Sequence, residues 1–312
     1  MAAQNINRES GLAAYGRYST RLFQRLILSL IVVPLFLCGD VWAALRSGTE
    51  IIIFYTNNKL IIAVDSRATI TGEERKYKDD QCKVFQLANK VLFAAAGLVG
   101  HDTQDADNSG SWDTYEQAKM IAAEVLSQKK AADDLALETA KRWAERMKGV
   151  MEHELFTNLA EAKSAMSESG VVESAVFGGL TASGDISLYK VSLVWDRSDL
   201  LWPRTNVEIH KQEPSDRILP LGYLGSSEGL NVFDEVMSGR TGRAKKAKQQ
   251  WNSVREKLAL PEQDAFVTKT VAELIADWAQ TTVIGGAIDV VELRKSGEIR
   301  WVQRQSRCHD GF

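Results

Sequence analysis

Short apolar runs separated by turns dominate the chain from residue 49 onward. Residues 51–54 and 60–64 are apolar and flank an Asn-rich turn, which predicts a β-hairpin. Residues 83–87 and 91–95 repeat this arrangement around a second short turn. The pattern therefore predicts two consecutive hairpins near the start of the main domain.

Two later blocks have apolar residues at helical spacing. The first runs from residue 112 to about 148, contains no Pro and extends in weaker form to residue 165, which predicts one or two helices. The second runs through a basic stretch at residues 240–248 to residue 258. Pro261 is predicted to end it, and residues 264–279 are predicted to form another helix.

Strand-like runs follow each helical block. They cover residues 171–180, 186–195, 206–209, 283–293 and 299–303. The order of elements is strands, helices, strands, helices, strands, and no repeat of fixed period is visible. This order favours an α+β fold, a layered sandwich with sheets inside and helices outside.

Composition narrows the class of protein. The chain has 312 residues, 45% hydrophobic and 25% charged, with 22 Gly and 5 Pro, which excludes collagen, low-complexity disorder and a multi-span membrane protein. A net charge of −3 argues against nucleic acid as a partner. Three cysteines are too few and too scattered to predict a disulfide framework or a zinc site.

The N-terminal segment has the features of an export signal. Arg21 and Arg25 precede an apolar run at residues 26–37, and small residues follow before Ala44. The run is too short to cross a bilayer comfortably, so residues 1–43 are predicted to be a signal peptide, with an uncleaved anchor as the alternative. The protein is then expected in the periplasm or outside the cell, with no stable membrane span after cleavage.

Export changes the interpretation of the cysteines. Cys38 would leave with the signal, and Cys82 and Cys308 would remain in an oxidising compartment, where they could pair. The sequence does not show whether they meet in space.

Searches for common catalytic motifs find little outside one stretch. The chain has no Gly-rich phosphate loop, no His-Glu-x-x-His and no Gly-x-Ser-x-Gly elbow, and its four histidines have no partner motif. Four features do occur in order, each of which alone has an ordinary structural explanation: Gly48-Thr49, Asp65-Ser66-Arg67, Lys83 and Gly97.

Their spacing resembles that of proteasome β-type subunits and their bacterial relatives, within the N-terminal-nucleophile hydrolase superfamily. Asp65 follows Thr49 by sixteen residues, and Gly97 follows Lys83 by fourteen, as the corresponding residues do in that family. The resemblance implies a four-layer αββα sandwich, self-processing after Gly48, and no metal or organic cofactor. Because relatives form rings, it also implies a homo-oligomer.

Physical chemistry supports the roles that the resemblance implies. A Thr hydroxyl needs a base, and an α-amino group, with a pKa near 7.7–8.0 in peptides, exists on Thr49 only after cleavage from Gly48. The implied roles are nucleophile for Thr49, hydroxyl activation for Lys83, orientation of that lysine for Asp65, support of the strand end or substrate for Arg67, and an oxyanion-binding N–H for Gly97.

The chain also departs from the family pattern. Active β-type subunits carry a supporting Asp and Ser where this chain has Thr281 and Ile284, although the glycine pair after Ile284 is present. A further supporting serine corresponds to Ser226 or Ser227. Glu50 replaces the small residue that usually follows the nucleophile. Reduced or altered activity is therefore a second expectation.

We therefore expect a short propeptide at residues 44–48 and a single domain at residues 49–312, with a helical insertion near 240–262. The expected function is hydrolysis of peptide or amide bonds through Thr49. The alternative is a non-catalytic, proteasome-like structural or binding subunit whose Thr49 amine stays blocked. An amidase of small acylated molecules would use the same residues.

Overall fold

The fold was analysed in a computed structural model of the 312-residue chain. The structure describes residues 44–70, 76–88, 90–102, 110–128, 133–165, 170–198, 203–215, 217–223, 234–235, 237–279, 284–306 and 308. The predicted signal peptide at residues 1–43 lies outside the described residues, as do Ser226, Ser227 and Thr281.

A nine-stranded sheet forms the larger half of the β-structure. Its neighbours run in the order β11-β10-β9-β7-β1-β4-β5, and β6 and β8 also pair with β7. Every described pair in it is antiparallel. The strands are β1 (Ala44–Ser47), β4 (Ala68–Ile70), β5 (Lys76–Lys78), β6 (Val84–Leu87), β7 (Val91–Asp102), β8 (Trp112–Asp113), β9 (Val171–Leu180), β10 (Ile186–Asp196) and β11 (Arg204–Lys211).

A five-stranded antiparallel sheet accompanies it, in the order β12-β2-β3-β13-β14. Its strands are β2 (Glu50–Tyr55), β3 (Lys59–Asp65), β12 (Ile218–Tyr223), β13 (Ile288–Arg294) and β14 (Ile299–Gln303). The protein is thus a mixed α/β structure built on antiparallel sheets.

Two helical blocks separate the strands in the sequence. The first comprises α1 (Thr114–Ser127), α2 (Leu135–Thr157) and α3 (Leu159–Ala165), and the second comprises α4 (Gly242–Arg255) and α5 (Leu260–Ala279). The carboxylates of Asp113 and Asp134 accept backbone N–H groups at the starts of α1 and α2, which is the usual role of an N-cap aspartate.

Both predicted hairpins are confirmed. β2 pairs with β3, and β6 pairs with β7. The strand predicted at 171–180 matches β9, and the one at 299–303 matches β14. These segments were predictable because their apolar runs are bounded by clear turn residues.

Three boundaries differ from the prediction. Lys83 precedes β6, which begins at Val84. Pro261 does not end a helix but lies in the first turn of α5, where its missing N–H costs nothing. The strand predicted from residue 283 begins only at Ile288, because Gly285 and Gly286 have φ values of 153° and 78° and turn the chain.

Three apolar clusters hold these elements together. One packs helices α1 and α2 on the larger sheet around Phe93, Trp143 and Phe177. A second joins side chains of both sheets, including Ile53 of β2. The third packs α5 against the opposite faces of β2 and β3. Because successive side chains of a strand point to opposite faces, β2 and β3 contribute to two of these clusters.

Within the described part of the chain, no helix is both long enough and apolar enough to cross a bilayer.

Candidate active site

A buried carboxylate at the end of β3 organises the site. Asp65 is 1% exposed and accepts three backbone N–H groups. Glu50 N–H lies 2.7 Å from Oδ1, and the N–H groups of Arg67 and Gly285 lie 3.2 and 3.0 Å from Oδ2. These bonds fix the carboxylate at the junction of β2, β3 and the turn before β13.

Lys83 reaches the same carboxylate from the segment before β6. Its ammonium nitrogen, Nζ, lies 3.3 Å from Asp65 Oδ1 and 2.7 Å from the Gly48 carbonyl oxygen, and it also donates to the Arg67 carbonyl. The side chain is 1% exposed. Three acceptors match the three N–H donors of an ammonium, whereas a neutral amine would have only two. The hydrogen bonds therefore favour the charged form of Lys83.

Burial and charge act on this pair in opposite directions. Burial lowers the pKa of Lys83, and the negative charge of Asp65 raises it again. Burial likewise raises the pKa of Asp65, while the lysine and the backbone N–H groups lower it. The pair thus holds its two charges only because each compensates for the other's loss of water.

The bond between Gly48 and Thr49 lies directly on this pair. Thr49 is completely buried, and its hydroxyl donates to the carbonyl of Gly48, the same oxygen that Lys83 contacts. Gly48 has φ +93°, a conformation that residues with a side chain rarely adopt. The carbonyl is therefore held between a cation and a hydroxyl.

The five residues before Thr49 enter the site as part of the larger sheet. Residues 44–47 form β1, which lies between β4 and β7 and pairs antiparallel with both. After β1, the Gly48 N–H donates to the Gly97 carbonyl over 3.2 Å. We call residues 44–48 the leader strand segment.

Gly97 itself bends the middle of β7. Its φ is +106°, and the register of β7 with β1 shifts beside it, between Arg46 and Ser47. The described hydrogen bond between the two glycines uses the carbonyl of Gly97, while the predicted role concerned its N–H. The structure thus places Gly97 next to the Gly48–Thr49 bond, and its oxyanion role stays a prediction.

Arg67 supports the site through its backbone and is held by an acid. Its guanidinium forms a two-point ion pair with Asp79, with distances of 2.5 and 2.8 Å, and lies 4.3 Å from the ring centroid of Tyr77. Hydrogen bonding to Asp79 raises the pKa of Arg67, and the same contact lowers that of Asp79. The Asp79 carbonyl also accepts the Ser66 hydroxyl.

The glycine pair before β13 is required by close packing. Arg67 N–H donates to the Gly285 carbonyl, and Gly285 N–H donates to Asp65. A Cβ on Gly285 would lie 2.7 Å from the Arg67 guanidinium carbon, and one on Gly286 would lie 2.4 Å from the Ser66 hydroxyl. Any side chain at either position would push these partners away.

Glu50 is a buried acidic residue directly after Thr49. It is completely buried, and neither carboxylate oxygen has a hydrogen-bond partner among the described residues. Burial raises its pKa well above the ordinary range, the negative charge of Asp65 raises it further, and Lys83 opposes both. The surroundings therefore favour the protonated form of this side chain.

A disulfide lies next to the lysine. Cys82 and Cys308 are bonded, with their Cα atoms 5.1 Å apart and their positions separated by 226 in the sequence. The sequence does not show whether these two cysteines meet, and in the structure they form a disulfide. Asp289 lies beside it, with Oδ2 3.1 Å from the sulfur of Cys308.

Most of the predicted site residues come together in space. Gly48, Thr49, Asp65, Arg67, Lys83 and Gly97 are linked by the contacts given above. Ser226 and Ser227 lie outside the described residues. Ile284 is buried in the cluster that packs on α5 and contributes an apolar side chain.

Two contributors to the site were not predicted. Asp79 holds Arg67, and the Gly285 N–H holds Asp65 from 220 residues away. The acidic pair Asp79-Asp80 before Cys82 was the only sequence signal for the first. Nothing local in the sequence indicates the second.

No protein-family model matches the chain, and no curated protein matches it either. A function is therefore inferred from the residues and their contacts. Chemically, the arrangement offers a hydroxyl, a cation on an adjacent carbonyl oxygen, and a buried carboxylate that fixes the cation.

Proposed function

We propose that the protein is a threonine-dependent hydrolase of peptide or amide bonds, whose nucleophile Thr49 is exposed by cleavage of its own chain after Gly48. The observation that carries this proposal is the position of the Gly48 carbonyl. The same oxygen lies 2.7 Å from Lys83 Nζ and accepts the Thr49 hydroxyl.

That geometry suits an attack of the hydroxyl on its own preceding peptide bond. The Thr49 Oγ adds to the Gly48 carbonyl carbon, and negative charge develops on the oxygen that Lys83 contacts. Stabilisation of such an oxyanion by a positioned donor contributes about 3–4 kcal/mol in other acyl-transfer enzymes. The C–N bond then breaks, the proton of the hydroxyl passes to the new α-amine, and an ester joins Gly48 to Thr49.

Water completes the step. Its addition to the ester gives a carboxylate on Gly48 and restores the hydroxyl of Thr49. The freed α-amine is then the base for later substrates, because its pKa lies near neutrality in peptides. Lys83, held by Asp65, remains beside the hydroxyl and favours its deprotonated form by charge.

The leader strand segment supports a peptide as the substrate. It runs between β4 and β7 as an extended chain with ladder pairs on both sides, such as Ser47 with Thr69 and Arg46 with Gly100. A peptide substrate would take the same place by main-chain hydrogen bonding. A small acylated amide would need only the region around Gly97 and Lys83.

We further propose a four-layer αββα arrangement for the fold. The three apolar clusters support it, because they join helices to the larger sheet, one sheet to the other, and the smaller sheet to α5. Assembly into a homo-oligomeric ring remains a proposal by resemblance to proteasome β-type subunits.

Export to the periplasm or the medium is proposed on the sequence of residues 1–43. The disulfide between Cys82 and Cys308 supports it, because such bonds persist mainly in oxidising compartments.

A second candidate is a non-catalytic subunit in which the leader strand segment is retained. It is favoured by the pairing of β1 with strands on both sides, which stabilises the uncut chain. In that state the Thr49 amine stays in a peptide bond and cannot act as a base.

The two candidates differ in the N-terminus of the purified protein. We expect intact mass and N-terminal sequencing to give a chain beginning at Thr49. Thr49→Ala should keep residues 44–48 attached and lose peptide hydrolysis, while Thr49→Ser should retain part of both, because it keeps a hydroxyl. A wild-type chain that keeps residues 44–48 and hydrolyses nothing would favour the non-catalytic subunit.

A further inference from the structure

Lys83 is the last residue of an irregular segment that directly precedes β6. Residues 79–83 precede β6 and belong to neither a helix nor a strand. Their described backbone ties are the Gln81 N–H to the Ser66 carbonyl, at 3.0 Å, and the Ser66 hydroxyl to the Asp79 carbonyl. Neither of these two ties involves Cys82, while Val84, on the other side of Lys83, pairs with Ala94 of β7.

The disulfide adds a covalent tie at Cys82. Cys82 is bonded to Cys308, which belongs to the chain after β14. Cys308 N–H donates to the Gln305 carbonyl at 3.0 Å, so the partner cysteine sits in a short turn. The cross-link therefore fixes the residue before Lys83 to a turn on the far end of the sequence.

That turn is itself anchored to the strand pair that carries Asp65. Gln305 donates through its N–H and its side-chain amide to the buried carboxylate of Asp289, at 2.7 and 3.1 Å. Asp289 belongs to β13, whose first residue, Ile288, is paired with Asp65 of β3. The disulfide thus connects the lysine's segment with the ladder that positions its carboxylate partner.

We propose that Cys82 and Cys308 are positioning residues for Lys83, so that the oxidation state of this pair sets the activity of the site. This inference rests on the proposed hydrolase function. With the disulfide formed, Lys83 Nζ stays within hydrogen-bonding distance of the Gly48 carbonyl and Asp65. With two free thiols, the segment at residues 79–83 loses its covalent link to the turn at Cys308, and the ammonium of Lys83 loses its fixed place.

The redox step is a thiol–disulfide exchange with a low-molecular-weight disulfide such as oxidised glutathione. The thiolate of one cysteine attacks the small disulfide and releases one small thiol. The second cysteine then attacks the mixed disulfide and releases the other. The protein dithiol loses two electrons and two protons, and the small disulfide becomes two thiols.

The test compares oxidised and reduced full-length protein after self-processing. A phosphine reductant opens the disulfide, and alkylation followed by intact mass counts the two thiols. We expect kcat for a short peptide anilide to fall about 10²-fold, as for a misplaced catalytic group, with KM unchanged. Oxidised glutathione should restore kcat.

Cys308→Ser is the matched control, because it removes the disulfide without changing the neighbour of Lys83. We expect it to self-process more slowly than the parent, and its processed fraction to have the low kcat of the reduced protein and not to respond to reductant. A reduced protein with native far-UV circular dichroism and the parent kcat would overturn the inference. So would loss of the fold on reduction, because the disulfide would then be a general stabiliser.

These results separate the inference from the proposed function. If the oxidised protein begins at Thr49 and hydrolyses the anilide, the proposed function stands, and the effect of reduction decides the inference alone. If the oxidised protein neither self-processes nor hydrolyses the substrate, both fail.

Discussion

At the scale of single residues, the site is a set of buried charges with few spare partners. Lys83 and Asp65 are each about 1% exposed, and each compensates for the other's lost hydration. Removing one member of such a pair usually costs more than the pair contributes, because the other charge is left buried. Both residues therefore serve the fold and the proposed chemistry together.

The carboxylate of Glu50 has no hydrogen-bond partner among the described residues to compensate for its lost hydration. Its carboxyl group is buried beside Asp65, and its pKa lies well above that of an exposed glutamate because of burial. The folded protein therefore holds a proton that the unfolded chain releases as the pH rises through the ordinary glutamate range. Stability from this proton is fully present below that range and is lost as the pH rises towards the folded pKa.

We expect Glu50→Gln to be more stable than the parent at pH 8 and about equally stable at pH 4. The glutamine cannot ionise, so the variant should lack a slope of about 1.4 kcal/mol per pH unit that one retained proton gives above the ordinary glutamate pKa. Urea unfolding at several pH values measures the difference.

Glu173 provides an internal comparison for this prediction. It is also fully buried with a raised pKa, caused first by burial, but it accepts a hydrogen bond from Thr114 at 2.6 Å. The parent and the Glu50→Gln variant both retain Glu173. The difference between their curves of unfolding free energy against pH therefore reports on Glu50 alone. Parallel stability curves for Glu50→Gln and the parent would show that the pKa of Glu50 is the same in the folded and unfolded protein, which contradicts the prediction.

At the scale of elements, the leader strand segment positions the Gly48–Thr49 bond next to Lys83. β1 aligns the chain between β4 and β7, and Gly48 then turns with φ +93° to bring its carbonyl onto Lys83. Left-handed backbone costs other residues roughly 1–2 kcal/mol, because their Cβ crowds the following carbonyl. The turn thus depends on a glycine.

Gly48→Ala should slow self-processing by about tenfold, which is the effect of 1–2 kcal/mol on a rate. The fraction of chain that begins at Thr49, followed by intact mass over time, measures it. Gly149→Ala is the matched control, since Gly149 lies in α2 with nothing within 4 Å of an added Cβ. If both variants process at the parent rate, the backbone turn at Gly48 is unimportant.

The length and boundaries of each strand explain which strands could be predicted from the sequence. Strands β2, β3, β9 and β10 were predictable because each has a long apolar run bounded by turns. Strands β4 and β5 have three residues each, and β1 has four, so their pairing comes from neighbours distant in the sequence rather than from a local pattern. β12 was missed as well.

The candidate site was predicted in part for the same reason. The spacing of Thr49, Asp65 and Lys83 was visible because Asp65 ends β3 of the first hairpin, and Thr49 and Lys83 directly precede β2 and β6. The Gly285 N–H on Asp65 and the bond from Cys82 to Cys308 join residues more than 200 positions apart. Sequence spacing carries no information on such contacts when only one chain is known.

At the scale of the whole molecule, an aromatic cluster packs α2 on the larger sheet. Trp143 of α2 is completely buried, and its ring lies 5.8 Å from that of Phe93 and 5.5 Å from that of Phe177. Its indole N–H points to the Thr114 carbonyl at 3.4 Å. This cluster joins α1, α2, β7 and β9.

Trp143→Ala should lower the free energy of unfolding by about 3–5 kcal/mol, because it leaves a large cavity. Below the melting temperature it should still process at Gly48, since none of its contacts involves the site. Phe156→Ala is the control, with a ring that is 59% exposed and an expected change within about 0.5 kcal/mol. Equal unfolding curves for the two variants would contradict the assigned core.

The leader strand segment has one more consequence, for the kinetics of maturation. In the proposed maturation, cleavage after Gly48 would break one covalent bond and leave the pairs of β1 with Ile70, Thr69 and His101 in place. The severed peptide would therefore still lie between β4 and β7, where a peptide substrate is proposed to bind. We expect its dissociation, rather than the cleavage itself, to limit how soon substrate hydrolysis begins. A freshly cut enzyme would show a lag that shortens on dilution or with a competing peptide.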